Sequence, residues 1–320
     1  MLHRIHRLKE PAMSAALPTA VVPSASVRAR RVSSSRLLAW AILGLMLFVT
    51  VAPLWLVLKT ALTPSADLFT QSAQLMPDQP TLAHFQRVLG LLSPEQAMAH
   101  GGSGAEIHFM RALTNSLLFT AIVVVCQVLT SAMAAYAFAR LRFPGRDVLF
   151  GLFVASMMIP GVVTFIPNFI LIKDLGWLNT LAGMVAPFCL FSAFGIFFLR
   201  QFFMSVPRDL EEAAMLEGAS PLRIFWTVVL PLAATPIATI AILQGINMWN
   251  EFFWPFLVAK DEEMQVLTVA LQSFKSQTPQ GQPDWTGLMA ATALTILPTL
   301  ALLVIFGRRV VESVQFSGSK

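Results

Sequence analysis

Six stretches of this chain run for 22 to 28 residues without a charged side chain: 37–58, 112–139, 148–172, 175–199, 224–250 and 285–307. A helix rises 1.5 Å per residue, so about 20 apolar residues cross the roughly 30 Å hydrocarbon core of a bilayer. Composition agrees: 56% of residues are hydrophobic and 12% charged, where a soluble domain carries about a quarter charged residues. Lipid must be part of the solvent. The fold expected is an all-α integral membrane protein with six transmembrane helices. The first run is too long for a signal-peptide apolar region of about 7–15 residues, and no A-x-A-like cleavage site follows it, so it is kept as a helix.

Lys and Arg orient these spans. With a cytoplasmic N-terminus, the inside segments are 1–36, 140–147, 200–223 and 308–320, and they hold 16 of the 22 basic residues. The other six are Lys59, Arg87, Arg111, Lys173, Lys260 and Lys275. The positive-inside rule then places both termini in the cytoplasm, and the formal charge of +5 is a topology signal rather than a nucleic-acid footprint. The expected organisation is a disordered, membrane-hugging tail (1–36), a first transmembrane helix (37–62), an outer loop (63–111), a core of five further spans (112–307) and a cytoplasmic tail (308–320). Within the core lie a cytoplasmic loop, 200–231, and an outer loop, 259–284. The segment SPEQAMAHGGSGAEIH at 93–108 reads as a flexible polar insert.

Residues 207–231, PRDLEEAAMLEGASPLRIFWTVVLP, form a polar island among the apolar runs. Pro207 suits the first turn of a helix, where its missing N–H has no intrahelical partner anyway. Asp209, Glu211 and Glu212 then fall near the positive end of the helix dipole. Gly218 can adopt the left-handed conformation that ends a helix. Ser220-Pro221 reads as an N-cap followed by a first-turn proline, so a second helix starts at once. A helix, a glycine turn and a helix projecting from a membrane domain make a docking knob.

Enzymatic signatures are missing. No G-x-x-x-x-G-K-[ST] occurs, so ATP binding by this chain is not expected. His3, His6, His84, His100 and His108 show no metal spacing and read as surface residues. Cys126 and Cys189 lie in apolar runs and read as small core residues. The spans lack the carboxylates of a proton relay, so any uphill movement must draw its energy from a partner.

Polar residues remain. Gln244, Asn247 and Glu251 are spaced i, i+3 and i+7, on one face if 224–251 is a continuous helix. They read either as a hydrogen-bonding stripe along a solute path, with Asn250 beside it, or as glue between helices. Asn115, Gln127 and Thr130 in the second span carry the same two readings, with packing favoured. Pro160, Pro167, Pro231 and Pro236 should kink or interrupt the third and fifth spans.

The polar island resembles the E-A-A-x-x-x-G motif of permease subunits in binding-protein-dependent ABC importers: Glu212-Ala213-Ala214, then Gly218, then Val228, Leu230 and Pro231, with valine in place of isoleucine. AYAFARLRFPGR (135–146), IPNFILIKDLGWLNT (166–180), FFLRQFFMSVPRDLEEAA (197–214), WNEFFWPFLV (249–258) and the GRRVVESVQFSGSK end are similar to the carbohydrate-uptake, MalG-like branch. The insert near 93–108 and the FSGSK ending depart from that pattern. The resemblance implies a bacterial or archaeal inner-membrane, multi-pass protein with no cofactor of its own. It further implies two cytoplasmic ABC ATPase subunits that use ATP and Mg, a second homologous permease subunit and an extracytoplasmic sugar-binding protein touching loop 259–284. Arg208, Asp209, Glu211, Glu212, Ala213, Ala214, Gly218 and Ala219 would then form the ATPase-coupling surface. Asn115, Gln244, Asn247, Asn250 and Glu251 are the substrate-path candidates.

A sugar is the solute expected, because the spans offer polar amides and very little charge. The alternatives are a permease for another small polar solute, such as a polyol or sugar-phosphate derivative, and a stand-alone channel or secondary carrier. The latter would need a coupling site of its own.

Overall fold

The computed structural model describes residues 34–101, 108–275 and 283–316. Most of the expected N-terminal tail, part of the 93–108 insert, residues 276–282 of the 259–284 loop and the last four residues lie outside the described residues. The described elements are all helical: α1 (Ser34–Leu62), α2 (Ala83–Val88), α3 (Pro94–Ala99), α4 (Phe109–Arg140), α5 (Arg146–Ser156), α6 (Gly161–Asp174), α7 (Leu181–Val185), α8 (Ala193–Ser205), α9 (Asp209–Leu216), α10 (Pro221–Ile224), α11 (Leu230–Leu232), α12 (Ala234–Trp249), α13 (Phe253–Val258), α14 (Leu267–Ala270) and α15 (Trp285–Phe316). The chain divides by its contacts into two units, residues 1–50 and 51–320. In the first, the side chains of α1 from Arg36 to Thr50 are all exposed, which suits a helix solvated by lipid.

Among the described residues, three helices are long and apolar enough to cross a bilayer alone: Arg36–Leu62, Phe109–Arg140 and Trp285–Gly307. Three bent pairs are long and apolar enough when each is taken together: Arg146–Ser156 with Gly161–Asp174 at 98°, Leu181–Phe188 with Ala193–Ser205 at 47°, and Pro221–Leu232 with Ala234–Trp249 at 80°. Counting each pair as one crossing recovers the six expected. The sharpness of the bends is new, and each has a local cause. Pro160 caps α6 and disfavours helical geometry at Ile159. Ser192 starts α8 afresh, its Oγ accepting from the Gly195 N–H at 3.1 Å. Phe225–Val229 is a π-turn ahead of Pro231, which removes the clash between the proline ring and the preceding turn. Pro236 sits in the first turn of α12, just past the break. Pro167, by contrast, stays inside α6.

The fourth crossing begins at Leu181 rather than 175, because Gly176 (φ +71°) and Asn179 (φ +55°) turn the intervening chain. Within the 93–108 insert, Pro94–Ala99 is helical. Ser93 and Gln96 close a reciprocal capping box at the start of α3: the Ser93 Oγ accepts from the Gln96 N–H, and the Gln96 Oε1 from the Ser93 N–H.

In the second unit α4 is the spine. Its buried residues, from Phe109 and Ala112 through Phe119, Val123 and Val128 to Ala139, recur at helical spacing. They enter three apolar clusters in succession. Phe109 and Ala112 pack with Ala61, Trp249, Phe274 and Leu288. Phe119 and Val123 pack with Met184, Met248 and Trp254. Val128 to Ala139 pack with Ile196, Leu199, Phe203, Ile224 and Phe225. Ser131 and Gly195 let α4 and α8 approach closely, for a Cβ on Gly195 would lie 3.3 Å from Ser131.

Candidate coupling surface and solute path

The knob forms at the Arg140 end of α4. Arg208 caps α9, with its carbonyl accepting from the Glu211 and Glu212 N–H groups at 2.9 and 3.0 Å. Pro207 therefore lies just before the helix rather than in its first turn. Asp209, Glu211 and Glu212 do occupy that first turn. At the other end Gly218 has φ +81°. Its N–H donates to Met215, and the N–H of Ala219 to Ala214: a Schellman cap. The alanine-to-glycine spacing of the motif is the spacing this cap requires. Ser220 then caps α10, its Oγ accepting from the Arg223 N–H at 3.4 Å, with Pro221 at the first helical position.

The knob's side chains divide sharply. Arg208, Asp209, Glu212 and Ala213 are exposed, Ala214 and Ala219 are half-buried against the α4 cluster, and Glu211 is buried. Leu216 is 91% exposed, with Leu210 and Met215 about half exposed beside it. Apolar side chains on a charged, projecting helix form the kind of mixed surface that partners cover.

Glu211 faces the other way. Its Oε1 lies 2.7 Å from the Nε of Arg140, and both side chains are at least nine-tenths buried. The Arg140 Nη2 also donates to the carbonyl of Val206. Burial pushes the Glu211 carboxyl up, opposed by the Arg140 and Arg208 guanidinium groups. In the sequence Arg140 reads as a topology signal; the structure makes it the last residue of α4 and a partner of the knob.

The solute-path candidates separate into two groups. Asn115 donates to the carbonyls of Glu263 and Gln265 at 2.9 and 3.1 Å. Asn250 donates back to Ile246. Glu251 lies past the end of α12, so the i, i+3, i+7 stripe is broken; its Oε1 accepts from the Trp254 N–H at 3.1 Å and opens α13. Gln127 is buried and donates to Phe188, and Thr130 bonds back along α4. Gln244 and Asn247 remain as neighbours one turn apart on α12, half-buried and exposed respectively, with no side-chain hydrogen bond to another described residue.

At the Phe109 end, loop residues form a folded layer. The Lys59 ammonium donates to the carbonyls of Gln71 and Ser72, both at 3.0 Å. Arg87 of α2 meets Asp284 in a two-point ion pair, at 2.8 and 2.9 Å. Asp284 also caps α15 through the Gly287 N–H. His84 is 1% exposed, against the surface position expected for it, and its Nε2 bonds the Thr63 carbonyl at 3.0 Å. Burial, and then Arg87, lowers its pKa from the ordinary 6.5. Cys126 and Cys189 are free and half-buried.

Comparison with known proteins agrees with this geometry. Residues 127–315 match the family described as "Binding-protein-dependent transport system inner membrane component". The chain is 34% identical over 211 residues to the sn-glycerol-3-phosphate transport system permease protein UgpE of Yersinia enterocolitica, covering 65% of this chain and 74% of that one. It is 33% identical over 201 residues to the diacetylchitobiose uptake system permease protein NgcG of Streptomyces coelicolor, covering 62% and 66%. Among solved structures, a bacterial ABC transporter involved in the import of the acidic polysaccharide alginate shares the fold, with a TM-score of 0.74, 24% identity, and coverage of 87% of this chain and 97% of that one. Membership implies ATPase and binding-protein partners, and a subunit that is itself non-catalytic. A multi-pass inner-membrane protein with a capped helical knob and bent crossings, this chain belongs to the binding-protein-dependent transport system inner membrane components, as a permease subunit of an ABC importer of the carbohydrate and sugar-phosphate uptake group.

Proposed function

We propose that this subunit lines half of a path for a small polyol or sugar-phosphate derivative and is driven through α9 by a cytoplasmic ATPase. The observation that carries the coupling role is the Schellman-capped knob, which presents Glu212 and Leu216 outward from the Arg140 end of α4. The positive-inside bias supports a cytoplasmic knob and cytoplasmic termini. The Phe109 end, with Arg111, the 259–284 loop and the Arg87–Asp284 layer, would then face the binding protein. The substrate-path role belongs to Gln244 and Asn247, whose side-chain amides bond no other described residue; a second homologous permease subunit would supply the facing wall.

The glycerol-phosphate permeases among the relatives favour a phosphorylated polyol over the plain sugar first expected. A neutral sugar is the second reading, favoured by the uncharged spans, since an anion calls for a complementary charge along its path. One experiment separates them: the transporter is assembled with its ATPase and binding protein in liposomes, and ATP hydrolysis is measured with glycerol phosphate and with neutral disaccharides. Stimulation by the phosphate ester supports the first reading. Stimulation by disaccharides alone supports the second, and ATPase that never associates with the subunit defeats both.

A further inference from the structure

We propose that Arg140 and Glu211 form a positioning strut that carries movement of the knob into the second and fourth crossings. Glu211 then acts inside this chain, while Glu212 contacts the partner. The inference rests on the docking role proposed for the knob.

Arg140 is the last residue of α4, the helix that runs through all three apolar clusters. Its guanidinium holds two other elements: Glu211 of α9 at 2.7 Å, and the carbonyl of Val206, which caps α8. One turn back, the Tyr136 ring packs at 6.4 Å from Phe203 of α8 and at 5.4 Å from Phe225, just beyond the knob. The knob is therefore tied to the spans at both ends. Its start is tied through Glu211. Its end is tied through the Gly218 turn into Ile224 and Phe225, which are at most 1% exposed. Both ends of α9 are thus anchored to buried residues of the spans. Glu211 and Glu212 are about 100° apart around the helix, which lets adjacent carboxylates face the strut and the exterior.

A strut and a contact residue fail differently. In the transporter reconstituted with its ATPase and binding protein, Glu211→Gln should keep the ATPase bound and ATP turning over, while solute moved per ATP falls several-fold. Arg140→Glu combined with Glu211→Arg should recover part of that ratio. Arg140→Lys keeps the charge but loses the two-pronged grip, so it should give a smaller loss; it decides the matter if Glu211→Gln does not assemble. An unchanged solute-to-ATP ratio in whichever single variant assembles overturns the strut. So does loss of the ATPase from Glu211→Gln to the extent seen in Glu212→Lys, because Glu211 would then be a contact residue. If Glu212→Lys together with Leu216→Glu leaves the ATPase bound, the docking role itself has failed.

Discussion

The backbone N–H of Ala219 bonds the carbonyl of Ala214 at 3.0 Å, across a glycine held at φ +81°. A Cβ on Gly218 would meet nothing within 4 Å, so the constraint is conformational and not steric crowding. Left-handed geometry costs a side-chain-bearing residue roughly 1–2 kcal/mol, and asparagine tolerates it best. Gly218→Asn should therefore retain most transport, Gly218→Val should lose most of it, and Gly218→Pro, lacking the N–H that bonds Met215, should lose all of it. Membrane insertion should be normal in each. Co-purification of the ATPase with the permease is the measurement, and a Gly218→Pro variant that assembles and transports at the wild-type rate would defeat the docking role.

Gln244 and Asn247 should behave unlike Asn115. Alanine at either α12 position removes an amide that bonds no other described residue, so assembly should be unchanged while the apparent KM for solute rises. Asn115→Ala should instead loosen the 263–265 segment that its amide holds, lowering thermal stability by about 1 kcal/mol per lost hydrogen bond. Identical transport across several solutes in the Gln244→Ala, Asn247→Ala double variant would return these amides to the role of helix glue.

How far these features were legible depended on how local they are. The long apolar helices could be read because span length is a property of consecutive residues. The Gly218 turn and the Ser220 cap could be read because caps are built from neighbours in the chain. Ser93 and Gln96 carried the same kind of signal, and the glycines beside them obscured it. The bend angles could not be read, since Pro167 continues a helix whereas Pro160 ends a turn before one, and neighbouring elements decide between the two. Nor could Glu211: it is adjacent in sequence to Glu212, and its burial depends on Arg140, many residues away. The Gln244–Asn247–Glu251 stripe assumed a helix that in fact stops at Trp249.

Arg87 and Asp284 should be the costliest pair to separate at the Phe109 end. Both side chains are over nine-tenths buried, and Asp284 also caps α15. Removing one partner of such a pair costs about 3–5 kcal/mol, because the other is left charged and buried. Arg87→Ala and Asp284→Ala should each lower the melting midpoint in detergent by several degrees. Gly287→Ala should do likewise, since its Cβ would collide with the Arg87 guanidinium. Wild-type melting in Arg87→Ala would show that the layer contributes no stability.

His84 predicts the pH response of the same layer. Its pKa lies below the ordinary 6.5, chiefly through burial and then through Arg87, against the opposing hydrogen bond to Thr63 and the charge of Asp284; His100 adds a small lowering. The folded state thus prefers the neutral ring, with Nε2–H donating to the Thr63 carbonyl. In the unfolded chain the ring takes up a proton first as pH falls. The stability due to this group is therefore complete above about pH 6.5 and declines from there toward the folded-state value. His84→Gln keeps a donor for Thr63 without the titrating ring. Melting midpoints should fall more steeply in wild type than in His84→Gln as pH drops below about 6.5, and parallel curves would remove His84 as the cause.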